Sequence, residues 1–276
     1  MTHLRVLVGE RHPVSSPDRL RSTEDYLAEE FSRFGLDVVR HPFDAFGSTY
    51  CNVIGTVRGQ QDISPLILAA HYDTVEGSPG ADDNASALAV LLEVAQHIRS
   101  RPCQRPIHFV AFCLEEEGLL GSRAYAAHLT AMRQSVCGAL VLECVGYARN
   151  EEGSQKTPPG VPIAVPTTGN FLAVIGNQAS AGLTHSVSQT MSRHVPIVPL
   201  IVPGNGELLP DTRRSDHTSF WEQGFPAVML TDTANFRNPH YHRPTDTIDT
   251  LNLDFIAAVA DAVVVAILDE AWEQAS

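Results

Sequence analysis

The sequence is short of basic side chains, and it contains no basic run. Its 19 Lys and Arg residues stand against 32 Asp and Glu residues, which gives a formal net charge of −13 at pH 7. Such a surface repels phosphate backbones and anionic lipids unless a basic patch is segregated on it, and no Lys/Arg run supplies one. We therefore expect neither a nucleic acid nor a membrane among the partners.

Cysteine patterns typical of disulfide scaffolds and redox motifs are also missing. The five cysteines are odd in number and scattered, and no two of them form a C-x-x-C pair. Three of them lie in apolar, strand-like runs, which predicts reduced and buried thiols.

Long apolar segments are absent as well. The N-terminal MTHLRVLVGERHP has no unbroken apolar core of the kind found in secretory signals. The most apolar later run, residues 255–268, contains Asp261 and is too short to span a bilayer. These features favour a soluble protein with a cytoplasmic location.

What the sequence does contain is an alternation of strand-like and helix-like segments. With 276 residues and 43% hydrophobic side chains, we expect one domain over residues 1–276. The pattern predicts an α/β fold of three layers (α/β/α), in which helices cover both faces of a central, mostly parallel mixed sheet. Residues 149–170, rich in proline and glycine, are interpreted as a loop or lid. The predicted helices are 17–34, 86–99, 119–132, about 179–192 and from about 252, and the predicted strands are 36–39, 52–57, 66–70, 107–113, 138–142, 171–175, 198–202 and 227–230.

Histidines and carboxylates follow four of these predicted strands. His71 and Asp73 come after LILAA, three consecutive glutamates after IHFVAFCL, Glu143 after GALVL, and two histidines lie in TDTANFRNPHYHRPTDT after AVML. Ligands of open α/β sheets bind at the carboxyl ends of strands, so we expect these side chains at one edge. Several carboxylates in one cleft would repel each other unless cations were bound. Imidazole and carboxylate without thiolate favour zinc, with manganese or cobalt as alternatives, and two metals that share a carboxylate need about five protein ligands.

Each motif also has an interpretation without metal. The segment GADDN could cap the helix that starts near Ser86, and EEE could be an acidic helix N-terminus. Single histidines are more often surface or core residues than ligands. What these interpretations leave unexplained is that the motifs all follow buried strands.

In order and spacing, HYD, GADDNAS, EEEGLLGS, LECVGY and NPHYHRPTDT resemble the M28 zinc aminopeptidases, which carry a co-catalytic pair of metal ions. The resemblance covers nearly the whole chain. Glu143 departs from it, because most members have an aspartate there. The resemblance implies a set of metal ligands in which Asp83 bridges the two ions, namely His71, Asp83, Glu116, Glu143 and His242.

The same resemblance implies roles for five further residues. Glu115 is implied as the general base, Asp73 as a residue that orients His71, and Tyr241 as a stabiliser of the oxyanion. In RSDHTSFW, Asp216 and His217 are expected to face the cleft and to contact substrate without binding metal.

The function implied is hydrolysis of the N-terminal residue of a peptide or dipeptide by a zinc metallopeptidase with two ions. Three alternatives are kept: a glutaminyl cyclase-type acyltransferase, an N-acyl amino acid hydrolase, and a non-catalytic binding module on the same scaffold. The cyclase uses one zinc, so the presence of all five ligand residues argues against it. A binding module predicts loss of the base or of ligands, whereas Glu115 is present.

Overall fold

The computed structural model describes residues 2–272, and within them the chain forms eight strands and seven α-helices. The strands are β1 (Asp37–Ala45), β2 (Ser48–Val57), β3 (Leu66–His71), β4 (Ile107–Phe112), β5 (Gly138–Glu143), β6 (Leu172–Asn177), β7 (Ile197–Val202) and β8 (Ala227–Thr231). The helices are α1 (Thr2–Leu7), α2 (Pro17–Arg33), α3 (Ala87–Ile98), α4 (Leu120–Ala131), α5 (Ala181–Met191), α6 (His217–Glu222) and α7 (Leu253–Trp272).

All eight strands of residues 2–272 belong to one sheet, in the order β1-β2-β4-β3-β5-β8-β6-β7. Four of its seven pairings are parallel, and three of these join the central block β4-β3-β5-β8. The hairpin β1-β2 and the pair β6-β7 are attached to this block by antiparallel pairings. The prediction of a mostly parallel mixed sheet is confirmed.

Helices cover both faces of the sheet, because alternate residues of the central strands point to opposite sides. Leu66 and Leu68 of β3 belong to the larger apolar core, which lies beneath α2, α3, α5 and α7. Ile67 and Ala69 belong to the second core, beneath α4 and α6. All six residues of β3 are buried, as expected for a strand covered on both faces. Within residues 2–272, no helix combines the length and the apolar character needed to cross a bilayer.

The predicted elements all exist, with bounds that differ by at most six residues. Helix α2 ends one residue before the predicted limit, and Gly35 terminates it with a φ of +80°, a value that favours glycine. Strand β1 runs to Ala45 because a tight turn at Phe46 and Gly47 lets it pair along its whole length with β2. The six-residue helices α1 and α6 were not predicted, since they are too short for a helical period to stand out.

Candidate metal centre and active site

The carboxyl ends of the central strands supply the charged side chains. His71 is the last residue of β3 and Glu143 is the last residue of β5. Glu115 and Glu116 follow the end of β4, and His242 lies in the loop after β8. Because these four strands are parallel neighbours, the side chains meet at one edge of the sheet, which is the arrangement that the sequence predicts.

Asp83 lies between the two histidines. It belongs to the turn Ala81–Ser86, which leads directly into α3 and in which Asp83 and Asn84 have non-helical backbone angles. The carboxylate of Asp246 accepts hydrogen bonds from the backbone amides of Asp82 at 3.0 Å and of Asp83 at 3.2 Å. The side chain of Asn84 is bonded to the backbone at the end of β5. These contacts hold the turn, so that the Asp83 carboxylate faces the cluster.

The two oxygens of Asp83 divide the cluster into two ligand groups. Oδ1 of Asp83 is 3.1 Å from Nε2 of His71, and that nitrogen is 3.5 Å from Oε2 of Glu143. Oδ2 of Asp83 is 2.9 Å from Nε2 of His242, and that nitrogen is 3.3 Å from Oε2 of Glu116. We call His71, Asp83 Oδ1 and Glu143 the first ligand group, and His242, Asp83 Oδ2 and Glu116 the second ligand group.

The spacing of these atoms suits zinc. Ligand atoms bound at ~2.0–2.2 Å lie roughly 3.2–3.6 Å apart around a tetrahedral ion. The histidine–carboxylate distances in both groups lie between 2.9 and 3.5 Å, close to that range. The donor set of imidazole nitrogens and carboxylate oxygens is the one that zinc, manganese and cobalt accept.

Several of these atoms are buried without a hydrogen-bond partner among the described residues. They are both ring nitrogens of His71, both oxygens of Asp83 and Oε1 of Glu116. Buried polar atoms normally have partners, since leaving one unpaired costs about 1–3 kcal/mol. Unpartnered nitrogen and oxygen atoms concentrated on side chains that face each other are typical of a cation site. The residues present therefore fit a bound metal.

The pKa shifts of the cluster in the protein without metal also indicate an excess of carboxylates over cationic groups. Burial raises the pKa of Glu116 to about 7, and it raises that of Glu115 well above its usual value, although His71 opposes the shift. Burial lowers the pKa of His242, but Asp83 and Glu116 outweigh it and raise the net value to about 10. Burial would raise the pKa of Asp83, whereas its contacts with His242 and His71 hold it below the usual range.

Glu115 lies at the edge of the first ligand group. Its Oε2 is 3.9 Å from Nε2 of His71, and its side chain is buried. Asp73 positions this loop, because its two carboxylate oxygens accept hydrogen bonds from the backbone amides of Glu115 at 3.0 Å and Glu116 at 3.1 Å. Oδ1 of Asp73 is 3.6 Å from Nδ1 of His71, which is a close approach. The hydrogen bonds of the Asp73 carboxylate go to the backbone amides of Glu115 and Glu116.

Glu143 receives two contacts that the sequence analysis missed. The hydroxyl of Ser215 donates to its Oε2 at 2.7 Å, and the thiol of Cys144 donates to its Oε1 at 3.3 Å. Burial raises the pKa of Cys144 well above its usual value, which keeps the thiol protonated as a donor. Ser215 lies in the RSDHTSFW motif, so its position next to two site candidates was the available signal.

Tyr241 packs against the second ligand group. Its ring stacks on that of His242 with centroids 3.8 Å apart and an angle of 18° between the planes. Its hydroxyl accepts a hydrogen bond from Nη2 of Arg214 at 3.2 Å. Because a guanidinium can only donate, the hydroxyl hydrogen of Tyr241 remains free to point elsewhere.

Asp216 and His217 do not belong to the lining of the cavity beside the cluster, although Asp216 interacts electrostatically with His71 and Glu143. Both side chains have no exposed surface. Nε2 of His217 bonds to the carbonyl of Thr212 at 2.8 Å, and its ring meets that of Trp221 edge to face. Their full burial was not expected. Asp216 immediately precedes the short helix α6, whose residues 217–221 are all buried.

A cavity opens beside the two ligand groups. Glu143 and Tyr241 belong both to the cluster and to the cavity wall, so a molecule in the cavity reaches the cluster. The remaining lining is mainly apolar, with one ion pair between Arg214 and Asp211 at 3.5 Å. The apolar lining residues are Pro158, Pro159, Val161, Ile175, Leu200, Leu209, Met229, Ala234 and Phe236.

The predicted loop 149–170 forms one wall of this cavity through its prolines. The loop contains no helix or strand, apart from an isolated bridge between Glu152 and Thr168. Gln155 ties it to the loop after β8, because its buried amide accepts from Nε of Arg237 at 2.8 Å and donates to Oγ1 of Thr233 at 2.8 Å. The loop is therefore anchored beside the cavity.

The sequence is similar to a known protein family and to several curated proteins. The model of peptidase family M28 matches residues 52–267. The uncharacterised protein YfbL of Escherichia coli (strain K12) is 32% identical over 276 residues, which cover 95% of this chain and 84% of YfbL. The chain spans between 44% and 60% of the length of curated relatives that are named aminopeptidases.

Solved structures share the fold. The LapA aminopeptidase of Legionella pneumophila superposes with a TM-score of 0.77 at 22% identity, over 99% of this chain and 70% of LapA. BSAP, a zinc aminopeptidase from Bacillus subtilis, superposes with a TM-score of 0.65 at 26% identity, over 84% of this chain and 52% of BSAP. Since the family model covers more than half of the sequence, the chain belongs to peptidase family M28.

Proposed function

We propose that the chain is a metal-dependent aminopeptidase that hydrolyses the N-terminal residue of peptides. The observation that carries the proposal is the position of Asp83, whose two oxygens face one histidine–glutamate pair each. The first and second ligand groups would each hold one zinc ion, with Asp83 contributing to both groups, and manganese or cobalt would be accepted as substitutes. The family and the curated relatives named aminopeptidases support the same reaction class.

The proposal treats residues 1–276 as one peptidase domain. The continuous sheet, with β1 and β7 at its two edges, supports it, because no break in strand pairing separates the motifs within residues 2–272.

Bound zinc supplies Lewis acidity and lowers the pKa of water toward neutrality. Glu115 accepts the proton of the attacking water and delivers it to the leaving amine, so that the C–N bond breaks and a carboxylate and an amine are released. Asp73 fixes the backbone of Glu115 for this transfer. Tyr241 directs its free hydroxyl hydrogen at the oxyanion that forms on the scissile carbonyl.

The cavity receives the side chain of the N-terminal residue. Its apolar wall favours aliphatic side chains, while the acidic cluster attracts the free α-ammonium group. Asp216 and His217 support this region from behind and make no direct contact with substrate in this proposal.

The test is the release of free amino acid from dipeptides supplied with a free or an N-acetylated amino terminus. The assay is run before chelation, after chelation and after zinc is added back. We expect cleavage of the free forms only, with loss on chelation and recovery with zinc. Cleavage confined to acetylated forms would indicate an N-acyl amino acid hydrolase. No cleavage of either form, with zinc bound, would favour a cyclase or a binding module.

A matched pair of variants tests the base. Glu115→Gln should keep zinc content and abolish turnover. The control is Glu117→Gln, because Glu117 lies two residues after Glu115 in the same loop. It is partly exposed, and its Oε1 lies 3.4 Å from Nε2 of His12. Equal losses in the two variants, or loss of zinc with Glu115→Gln, would contradict the role of Glu115.

A further inference from the structure

Arg11 is a fully buried cation in the segment between α1 and α2. Its guanidinium donates to five backbone carbonyls. Nε donates to Tyr72 at 2.7 Å, and Nη2 donates to Gly80 at 3.2 Å. The other acceptors, all bound by Nη1, are the carbonyls of Leu7 at 2.6 Å, Gly9 at 2.7 Å and Pro79 at 3.1 Å.

Two of these contacts join the ends of one segment. Tyr72 directly follows His71, and Gly80 precedes Asp83 by three residues. The planar guanidinium of Arg11 therefore joins the two ends of residues 72–80. One end of this loop directly follows the ligand His71, and the other end leads to the ligand Asp83. The backbone amide of Arg11 adds a hydrogen bond to Oγ1 of Thr74, at 2.9 Å, within the same loop.

The packing around Gly80 shows how closely this loop is fitted. Gly80 has a φ of +60°, and a Cβ on it would lie 2.3 Å from the carbonyl oxygen of Asp83 and 2.8 Å from Nη2 of Arg11. The acceptors of Arg11 are uncharged carbonyls, so its charge remains available to the nearby carboxylates of Asp73, Asp83 and Asp246. Burial lowers the pKa of Arg11 to about 10, while these acids oppose the shift, so the group stays charged at neutral pH.

We propose that Arg11 is a positioning residue of the metal centre, which ties the two ends of residues 72–80 together and thereby holds His71 and Asp83 at ligand distance. The proposal rests on the proposed function, because it assumes that these two residues bind metal. Lysine at this position would keep the charge but would lose the planar fork that binds several carbonyls at once.

The experiment compares Arg11→Lys with Arg105→Lys. Arg105 is a matched control, because it is also buried and donates to backbone carbonyls, those of Ser64 and Glu270, at the opposite end of β4. Zinc affinity is measured by competition with a fluorescent chelator, and the stability of the zinc-free protein is measured by urea unfolding. We expect zinc affinity to fall about 10–100-fold in Arg11→Lys, the usual effect of losing a group that orients a ligand, and to stay within about threefold in Arg105→Lys.

Equal zinc affinity in the two variants, at similar losses of stability, would overturn the role of Arg11. If Arg11→Lys does not fold, Thr74→Val replaces it, with Thr184→Val as its control, since both threonines are buried and only Thr74 bonds to Arg11. Thr74→Val should then weaken zinc binding more than Thr184→Val, and equal affinities would overturn the role. A wild-type protein that binds no zinc would overturn the proposed function as well, whereas tight wild-type binding with unchanged variants would overturn this inference alone.

Discussion

The hydroxyl of Ser215 lies 2.7 Å from Oε2 of Glu143, the same oxygen that faces Nε2 of His71 at 3.5 Å. Because the Ser215 hydroxyl occupies one lone pair of Oε2, the other lone pair of this oxygen is directed at the first ligand group. Ser215→Ala should therefore weaken zinc binding about tenfold and leave the fold intact. Zinc titration with a competing chelator measures this. Ser188→Ala is the control, because the buried hydroxyl of Ser188 has no hydrogen-bond partner within the described part of the chain. The same zinc affinity in both variants would show that Ser215 does not orient Glu143.

The division of the cluster around Asp83 predicts how many ions each variant retains. Glu143→Ala removes a residue of the first ligand group, and His242→Ala removes a residue of the second. Each variant should bind one zinc per chain where the wild type binds two, as measured by elemental analysis after dialysis against a fixed zinc buffer. One ion per chain in the wild type would contradict the two-ion proposal.

Removing the hydroxyl of Tyr241 should slow catalysis without releasing metal. Tyr241→Phe keeps the ring that stacks on His242 and removes the donor to the oxyanion. We expect kcat to fall about 10–100-fold, with KM and zinc content nearly unchanged, because the contact forms in the transition state. Tyr147→Phe serves as control, since Tyr147 is a buried tyrosine whose hydroxyl accepts from Arg149. A change in KM alone would mean that Tyr241 only binds substrate.

The anchor of the loop 149–170 predicts a binding effect. Gln155→Ala removes the hydrogen bonds to Arg237 and Thr233, so the wall formed by Pro158 and Pro159 loses its fixed position. KM for peptides should rise severalfold while kcat changes by less than about twofold, because the cluster itself is not touched. Asn150→Ala, an exposed amide in the same loop, should leave both constants unchanged. Unchanged KM in Gln155→Ala would remove this loop from the substrate site.

His108 predicts a pH dependence of stability that does not involve the metal centre. Burial lowers its pKa to about 4, from 6.5 in the unfolded chain. Between these values the unfolded chain binds more protons than the folded one, so this contribution to stability is present above pH 6.5 and is lost as the pH falls toward 4.

The measurement is urea unfolding of the chelated protein at pH 7.5 and pH 5. His108→Gln should lose less stability than the wild type between the two values, by up to about 2 kcal/mol. His97→Gln, which replaces an exposed histidine, should behave as the wild type. Identical pH dependence in His108→Gln and the wild type would contradict the assignment.

The local signals in the sequence were sufficient for the strand ends and the motifs they carry. LILAA is apolar throughout, so it had to be buried on both faces, and the histidine that follows it had to lie at the edge of the sheet. The same reasoning predicted Glu115, Glu116 and Glu143, because alternation of strands and helices implies parallel neighbours. These predictions needed only hydrophobic pattern and chain order.

Only the tertiary structure decided which side chains face each other. Asp83 meets His71 and His242 on different oxygens, although His242 lies far along the chain in another loop. The full burial of Asp216 was not predicted either, since a neighbouring sequence position does not determine how the residue before a short helix packs.

Arg11 and Ser215 were not identified from the sequence for the same reason. Hydrophobic periodicity is a property of one segment, whereas hydrogen bonds between loops depend on how distant segments pack. The sequence by itself determined the family, the sheet and the set of charged strand ends, and packing between distant loops decided how those charges are paired.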